Sequence, residues 1–408
     1  MKSLKTFNDP VYGFITIDDE LIFQLLEHPS FQRLRRISQL GLTNLVYSGA
    51  NHSRFQHALG AMNLMKSAIN VLKSKGVSIS EEDEQAAKIA ILLHDIGHGP
   101  FSHALENTIV KGTNHEKIGL HIMVQLNAEF SGQLDRAISI YKGEHSVKFL
   151  HQLVSSQLDV DRLDYLKRDS FFTGVSEGII GSERIIKMMN VHNDELVVEA
   201  KGIYSLEKFL LARRLMYWQV YLHKTVVSAE FLLMHILKRA QEIDAATALI
   251  PGNPLTYFLI HSDDLNTLET SDWIKNFLEL DDFDVMAAIK AWNRSNDPVL
   301  SRLCNRLINR KLLKVKPLPS PISEKELNNL RNRFASDNQL DADGVEHLIF
   351  QNSISNRAYN SNSEIINILY KDGSVREISD AASIFQFGSM NAIETKHYLY
   401  HPAGLDVH

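Results

Sequence analysis

The stretch ILLHDIGHGPFSH, residues 91–103, decides how this chain is read. From Ala86 to Leu93 the sequence is apolar apart from Lys88, the pattern of a buried helix rather than of an amphipathic surface one. That helix runs straight into His94 and Asp95, an imidazole and a carboxylate side by side. An ionised aspartate buried without a partner is strongly disfavoured, so Asp95 requires either hydrogen-bond donors or a cation. Two readings stand at this point. The pair satisfies backbone groups at a helix end, or it holds a divalent metal.

Upstream of this stretch, Asn8-Asp9-Pro10 marks a turn and GFITI alternates like a short strand. Helical spacing follows over residues 21–26, stops before Pro29, and resumes through Phe31, Leu34 and Ile37 until Gly41. A helix is expected from about Ser53 to Gly76 with His57 in its first turns, and Ser80 with Asp83 reads as an N-cap for the helix leading into His94. Downstream, Gly97, Gly99 and Pro100 break that helix, and another is expected from Glu116 to about Asn127. If residues 158–169 are helical, Asp161, Tyr165 and Asp169 share one face with Arg162 beside them. DELVVEAKGIY reads as a hairpin turning at Lys201-Gly202, followed by one long helix from Ser205 to about Ala246. Shorter helices fill 255–315, KPLPSPIS at 316–323 reads as a linker, and Asp372-Gly373 centres a second hairpin.

A length of 408 residues supports two or three structural units. The 44% hydrophobic and 23% charged composition is that of a globular chain, which sets aside disordered and fibrous classes. A net charge of −6 argues against nucleic acid or anionic membrane as the main partner. Cys304 is the only cysteine, so no intramolecular disulfide or cysteine-rich metal site can form, and a cytoplasmic location is expected. No signal-like or membrane-spanning stretch is expected.

Seven of the 18 histidines lie between His52 and His121, a density that single hydrogen-bonded histidines do not explain. His57, His94, Asp95 and Asp161 can together make a mixed nitrogen and oxygen site for Mn, Fe, Ni, Mg or Zn with positions left open. Around them stand His98, His103, Glu106 and His115, then Arg54, Arg162, Tyr165, Arg213, Tyr221 and Lys224. That inventory suits phosphoester hydrolysis, since a metal polarises a phosphoryl oxygen, Arg and Lys hold phosphates, and an imidazole protonates a leaving alkoxide. His103 and Glu106 are at i, i+3, a spacing that lets a carboxylate orient an imidazole.

The segments FQRLRRISQLG, HSRFQHALG, LLHDIGHGPFSH, NHEKIG, DVDRLDYLKRD and RLMYWQVYLHK stand in the order seen in the HD-domain phosphohydrolases, and the chain resembles in particular the deoxynucleoside triphosphate triphosphohydrolases, the SAM-and-HD-domain enzymes and their bacterial relatives. The likeness is close over about residues 5–230. It implies a mainly α fold, an HD-domain helical core with a small α+β C-terminal region, divided as catalytic core 1–250, helical extension 251–315 and C-terminal region 316–408. It implies metal ligation by His57, His94, Asp95 and Asp161, with His98 and His115 at the α-phosphate and His103 with Glu106 protonating the departing 5′ oxygen. Glu106 stands where the family has Asp. Arg54, Arg162, Arg213 and Lys224 would hold phosphates, Arg162 replacing a Lys; Tyr165, Asp169 and Tyr221 would line the sugar, and Gln39 and Leu40 would meet sugar or base.

The reaction so implied is water attack at the α-phosphorus of a dNTP, giving deoxynucleoside and triphosphate. The family also implies a homo-oligomer, tetramer or dimer, with GTP or dGTP effector sites; Lys5, Asn8, Gln32, Arg35, Arg184 and Lys201 match positions used there. Glu27 replaces an Asp, and Glu199 stands in place of an Arg, a negative group where a triphosphate had a cationic partner. No SAM-like module is expected ahead of the core. The alternatives are an HD phosphohydrolase of a cyclic dinucleotide, guanosine tetraphosphate or phosphomonoester, or a nucleotide-sensing or nucleic-acid-binding HD protein without turnover.

Overall fold

The computed structural model describes residues 5–106, 108, 112–243, 248–261, 270–340, 342–356, 365–381 and 394–405. A hairpin of β1 (Lys5–Asp9) and β2 (Gly13–Ile17) opens the chain, its turn held by the Asp9 carboxylate accepting from the Val11 and Tyr12 amides. The helices α1 (Glu20–Glu27) and α2 (Pro29–Gln32) follow, with a 3₁₀ turn at Arg33–Arg36. Next comes α3 (Arg54–Ser74), whose N-terminus is closed by Ser53 and Gln56, and it is buried along most of its length. It packs against α4 (Glu81–Leu93) and α9 (Val160–Thr173). Ala86–Leu93 is buried throughout, Lys88 included, because its ammonium pairs with Glu84 one turn back at 3.1 Å. Between α4 and α9 lie α5 (His103–Glu106), α6 (His115–Glu129), α7 (Asp135–Tyr141) and α8 (Lys148–Val154).

Beyond α10 (Ser182–Met188) the chain forms a hairpin, but not the expected one: the strand read at 196–198 pairs with the segment before it. β3 (Met189–His192) pairs with β4 (Glu195–Glu199) around Asn193 and Asp194, both at positive φ, whereas Lys201-Gly202 starts the next helical segment. Short polar residues tolerate that left-handed pair, and the resulting twist matches the strands. The single long helix expected next is two, α11 (Ile203–Met216) and α12 (Lys224–Glu242), bent by 55°. A π turn at Tyr217–Tyr221 separates them, and His223 caps α12 by accepting from the Thr225 amide. Residues 244–247, where the expected helix ended, lie outside the described residues.

The helices α13 (Leu255–Ile260), α14 (Thr270–Glu279), α15 (Asp282–Trp292) and α16 (Pro298–Ile308) fill the next segment. The stretch read as a linker instead contributes part of a strand, β5 (Lys314–Leu318). After α17 (Glu324–Asn338) and the short α18 (Ala342–Val345), the strands β6 (Phe350–Asn356), β7 (Asn367–Leu369), β8 (Val375–Glu377) and β9 (Glu394–His401) complete the molecule, with the one-turn helix α19 (Ile378–Ala381) after β8. β5 sits at the edge of a sheet ordered β5-β9-β6, where a proline such as Pro317 is tolerated because one side of the strand needs no donor. The hairpin read at Asp372-Gly373 forms, and its first strand runs parallel to β4, extending that sheet to β3-β4-β7-β8. The fold is mainly α, with small sheets in the C-terminal region. Among the described residues no single helix is long and apolar enough to cross a membrane.

Candidate active site

Three helices bring four metal-capable side chains to one point: His57 from α3, His94 and Asp95 from the end of α4, and Asp161 from the first turn of α9. His57 Nε2 stands 3.0 Å from Asp161 Oδ1, 3.4 Å from His94 Nε2 and 3.8 Å from Asp95 Oδ2. His94 Nε2 is 3.5 Å from Asp161 Oδ1 and 3.4 Å from Asp95 Oδ1. The opposite ring nitrogens are tied off: His57 Nδ1 donates to Asp164 Oδ2 at 2.7 Å, and His94 Nδ1 donates to the Ile91 carbonyl at 2.6 Å. In the neutral rings, therefore, both Nε2 lone pairs converge on two carboxylates. Ligands ~2.1 Å from a cation and at right angles stand about 3 Å apart, so this donor set fits a divalent ion.

Without a metal, protons hold the cluster together. Burial pushes His57 down, but hydrogen bonds to Asp161 and Asp164 outweigh it and raise it to about 10. His94 is raised in the same way: burial opposes its charge, and the charges of Asp95 and Asp161 overcome it. Asp161 is held well below the carboxylate range, the His57 and His94 hydrogen bonds outweighing its desolvation.

Behind the ligands lies a layer that the sequence reading missed. Asp164, fully buried, orients His57 and is itself bound by Arg168 Nε at 2.9 Å, while Arg168 Nη1 reaches Asp9 at 2.8 Å. A Cβ on Gly60 of α3 would fall 2.0 Å from Asp164 Oδ1 and 2.2 Å from Arg168 Nη2. Glycine there is what lets the ion pair lie against the helix. The signal was present in DVDRLDYLKRD, where Asp164 and Arg168 sit at i, i+4 on the face adjacent to Asp161.

Beside the metal cluster, His98 Nε2 donates to Asp95 Oδ1 at 3.2 Å, and its ring stacks on His115 with centroids 3.9 Å apart. Burial, then the charge of Arg54, hold His98 well below its ordinary range, so the ring is neutral. Gly97 makes this stacking possible, because a Cβ there would lie 2.1 Å from the His115 carbonyl. Glu106, expected to orient His103, accepts from His115 Nδ1 at 3.0 Å. The His103 side chain lies outside the described residues.

A cavity of about 250 Å³ adjoins the cluster, lined by Gln39, Leu40, Arg54, Ser102, Tyr217, Tyr221 and Glu230 among others. Arg54 connects the two, donating from Nη1 to Asp95 Oδ2 at 2.6 Å and from Nη2 to Ser102 at 3.1 Å. Tyr221 donates to Asp169 Oδ2 at 2.7 Å, and the other oxygen of Asp169 is held by His52 at 2.7 Å, a second partner not anticipated. Tyr165 packs edge-on against Tyr221. Arg162 pairs with Asp159, and Arg213 donates to Gln157 at 3.0 Å.

Lys224 does not line this cavity. It lines a different one, of about 630 Å³, with Arg306, Arg310, Lys311 and Lys314. Of the residues matched to effector positions, Arg35 stacks on Phe55 and bonds Gln32, Lys5 covers Phe23, and Asn8 sits in β1. Arg184 donates to the Lys201 carbonyl on another part of the surface, where Glu199 is paired with Lys75 at 2.8 Å.

Residues 54–169 match the HD domain and residues 180–249 the HD associated region. The crystal structure of a phosphohydrolase from Bacteroides thetaiotaomicron superposes with a TM-score of 0.94 at 46% identity, covering 98% of this chain and all of that one. The chain belongs to the HD-domain phosphohydrolases. An uncharacterized protein, YwfO of Bacillus subtilis, is 32% identical over 98% of this chain and 93% of its own length. The deoxynucleoside triphosphate triphosphohydrolase SAMHD1 homolog of Dictyostelium discoideum is 31% identical over 59% of this chain and 50% of that protein. In this HD phosphohydrolase the matched domain runs from Arg54 to Asp169, bounds that take in the whole cluster.

Proposed function

We propose that this HD phosphohydrolase is a metal-dependent dNTP triphosphohydrolase. The observation that carries the reading is Arg54, which touches the metal-site carboxylate Asp95 and lines the adjacent cavity, so a phosphate chain held by Arg54 lies against the cluster. The likeness to the Dictyostelium homolog, named a deoxynucleoside triphosphate triphosphohydrolase, supports it. His57, His94, Asp95 and Asp161 would hold the divalent ion, which when bound supplies Lewis-acid polarisation of phosphoryl oxygen and a more acidic water. Arg54, Arg162 and Arg213 hold phosphate oxygens. His98 faces the α-phosphate as a neutral ring, while the His115–Glu106 pair, with His103 on the same short helix as Glu106, holds the proton for the departing 5′ oxygen. Tyr165, Asp169 and Tyr221 enclose the sugar, and Gln39 and Leu40 reach sugar or base.

The cavity lined by Lys224, Arg306, Arg310, Lys311 and Lys314 gathers five cations and suits a triphosphate effector such as GTP or dGTP. Incubating the metal-loaded protein with each dNTP in ¹⁸O water tests the reaction. Deoxynucleoside and ¹⁸O-labelled triphosphate are expected; monophosphate with pyrophosphate would overturn it.

A further inference from the structure

The wall of the substrate cavity holds a carboxylate that the reaction does not use. Glu230, two turns into α12, lines the cavity together with Gln39, Leu40, Tyr217 and Tyr221. Among the described residues no hydrogen bond or ion pair reaches its carboxylate, and the only cause acting on it is burial, which pushes it up to about 7. Among the described residues no cation acts on it; the Tyr400 hydroxyl, which feels its charge, is buried without a hydrogen-bond partner and does not bond it. Across the same cavity the Gln39 side-chain oxygen is buried without a hydrogen-bond partner. Two acceptors thus face a pocket whose ligand has to bring the donors, since buried polar groups left unpaired are costly.

A carboxylate cannot face the triphosphate end of a nucleotide, where like charges repel, so it faces the base or sugar end. Of the four bases, only guanine presents two N–H donors side by side, N1–H and the 2-amino group, which the carboxylate accepts together once ionised, and two such donors in turn favour the ionised form. Adenine and cytosine set an amino donor next to a bare ring nitrogen, which repels the second oxygen. Thymine flanks its one N–H with two carbonyl oxygens. We propose that Glu230 is a specificity-determining residue that reads the guanine edge, with Gln39 as a second acceptor, so that the enzyme prefers dGTP. The proposal rests on the dNTP reading above.

The test compares kcat/KM for the four dNTPs in the metal-loaded protein and in Glu230→Gln and Glu230→Asp, each checked for an unchanged melting temperature. Glutamine keeps one acceptor and adds a donor, so E230Q should lose roughly 10- to 100-fold on dGTP while dATP and dCTP are retained or improve. Glu230→Asp should keep the rank order with dGTP first. An equal loss on all four substrates, which a structural or sugar-binding role would give, overturns the proposal, as does a wild-type protein indifferent to the base.

Equilibrium binding of non-hydrolysable dGTP and dATP analogues separates this from a failure of the hydrolytic reading. If no dNTP is turned over, tighter binding of the guanine analogue that E230Q abolishes still supports Glu230 as the reader. Binding without base preference rules it out.

Discussion

Among the described residues, histidines and carboxylates meet at the candidate site and again at the end of α12, and the two meetings are built differently. In the first, His57 and His94 spend their Nδ1 hydrogens on Asp164 and on a carbonyl, so both Nε2 atoms turn inward toward Asp95 and Asp161. In the second, on α12 and the turn after α18, His347 donates to Glu242 Oε2 at 2.8 Å and shares a hydrogen with His235 at 3.1 Å, with Glu346 alongside. Arg239 also reaches Glu242, at 3.5 Å, and Glu346 is exposed. Residue types are similar in both. The difference is that the hydrogens of the second cluster already have acceptors and its charge already has a counterion, whereas in the first the residues behind the rings turn both Nε2 atoms toward the carboxylates, where a cation can take the place of a proton.

The largest effect that would sharpen this contrast comes from the ligands. His57→Ala or Asp161→Ala should abolish metal uptake and reduce turnover to background, read by elemental analysis and by dNTP assay; an active variant would break the comparison. Next in size, Asp164→Asn keeps the shape of the side chain but removes the charge that fixes His57, and should weaken metal affinity about 10- to 100-fold in a chelator competition.

The pH dependence follows with a definite sign. His57, raised to about 10 in the metal-free protein, is protonated at pH 7, so an incoming cation must displace a proton. Metal affinity should therefore climb by up to about tenfold per pH unit between 6.5 and 8.5, with proton release on binding; a flat profile would mean the ring is already neutral. In the metal-free protein the same shift stabilises the fold fully below the ordinary histidine range, and that contribution is lost as pH rises through about 10. The smallest effect is expected at the second cluster. His347→Gln should leave turnover and metal content unchanged and cost roughly 1 kcal/mol in stability, since Glu242 is partly solvated.

The metal-capable set was legible because its members occur in short, distinctive segments: HDIGH at a helix end, HSRFQHALG at a helix start, DVDRLDYLKRD in a third helix. What lay behind them was not. Asp164 and Arg168 follow the same helical spacing as any solvated face, and it is the folded packing, with Gly60 against them, that buries it. Glu106 has a partner other than the expected one, and His52 had none assigned, for a related reason. Their contacts, of Glu106 with His115 nine residues on and of His52 with Asp169 across 117 residues, depend on how helices meet rather than on local spacing.

In the fold, helix positions were readable from apolar periodicity, and the Asp372-Gly373 hairpin from its turn residues. The 3–4 strand turn was missed because Asn193-Asp194 lacks the glycine that marks such turns. The break in the long helix was missed because Tyr217–Tyr221 contains neither proline nor glycine; the π turn there is visible only in the backbone. Proline and serine make 316–323 read as a linker, and its first three residues become part of β5 only by pairing with β9, some 80 residues later.

We propose that the direction of the ring nitrogens, set by Asp164 and the Ile91 carbonyl, suits one of these clusters to a metal and not the other. Metal stoichiometry of the purified chain, compared with His94→Ala and His347→Gln, tests it most directly. One divalent ion per chain, lost in His94→Ala and retained in His347→Gln, is the predicted result. Retention in His94→Ala, or an ion that depends on His347, would contradict it.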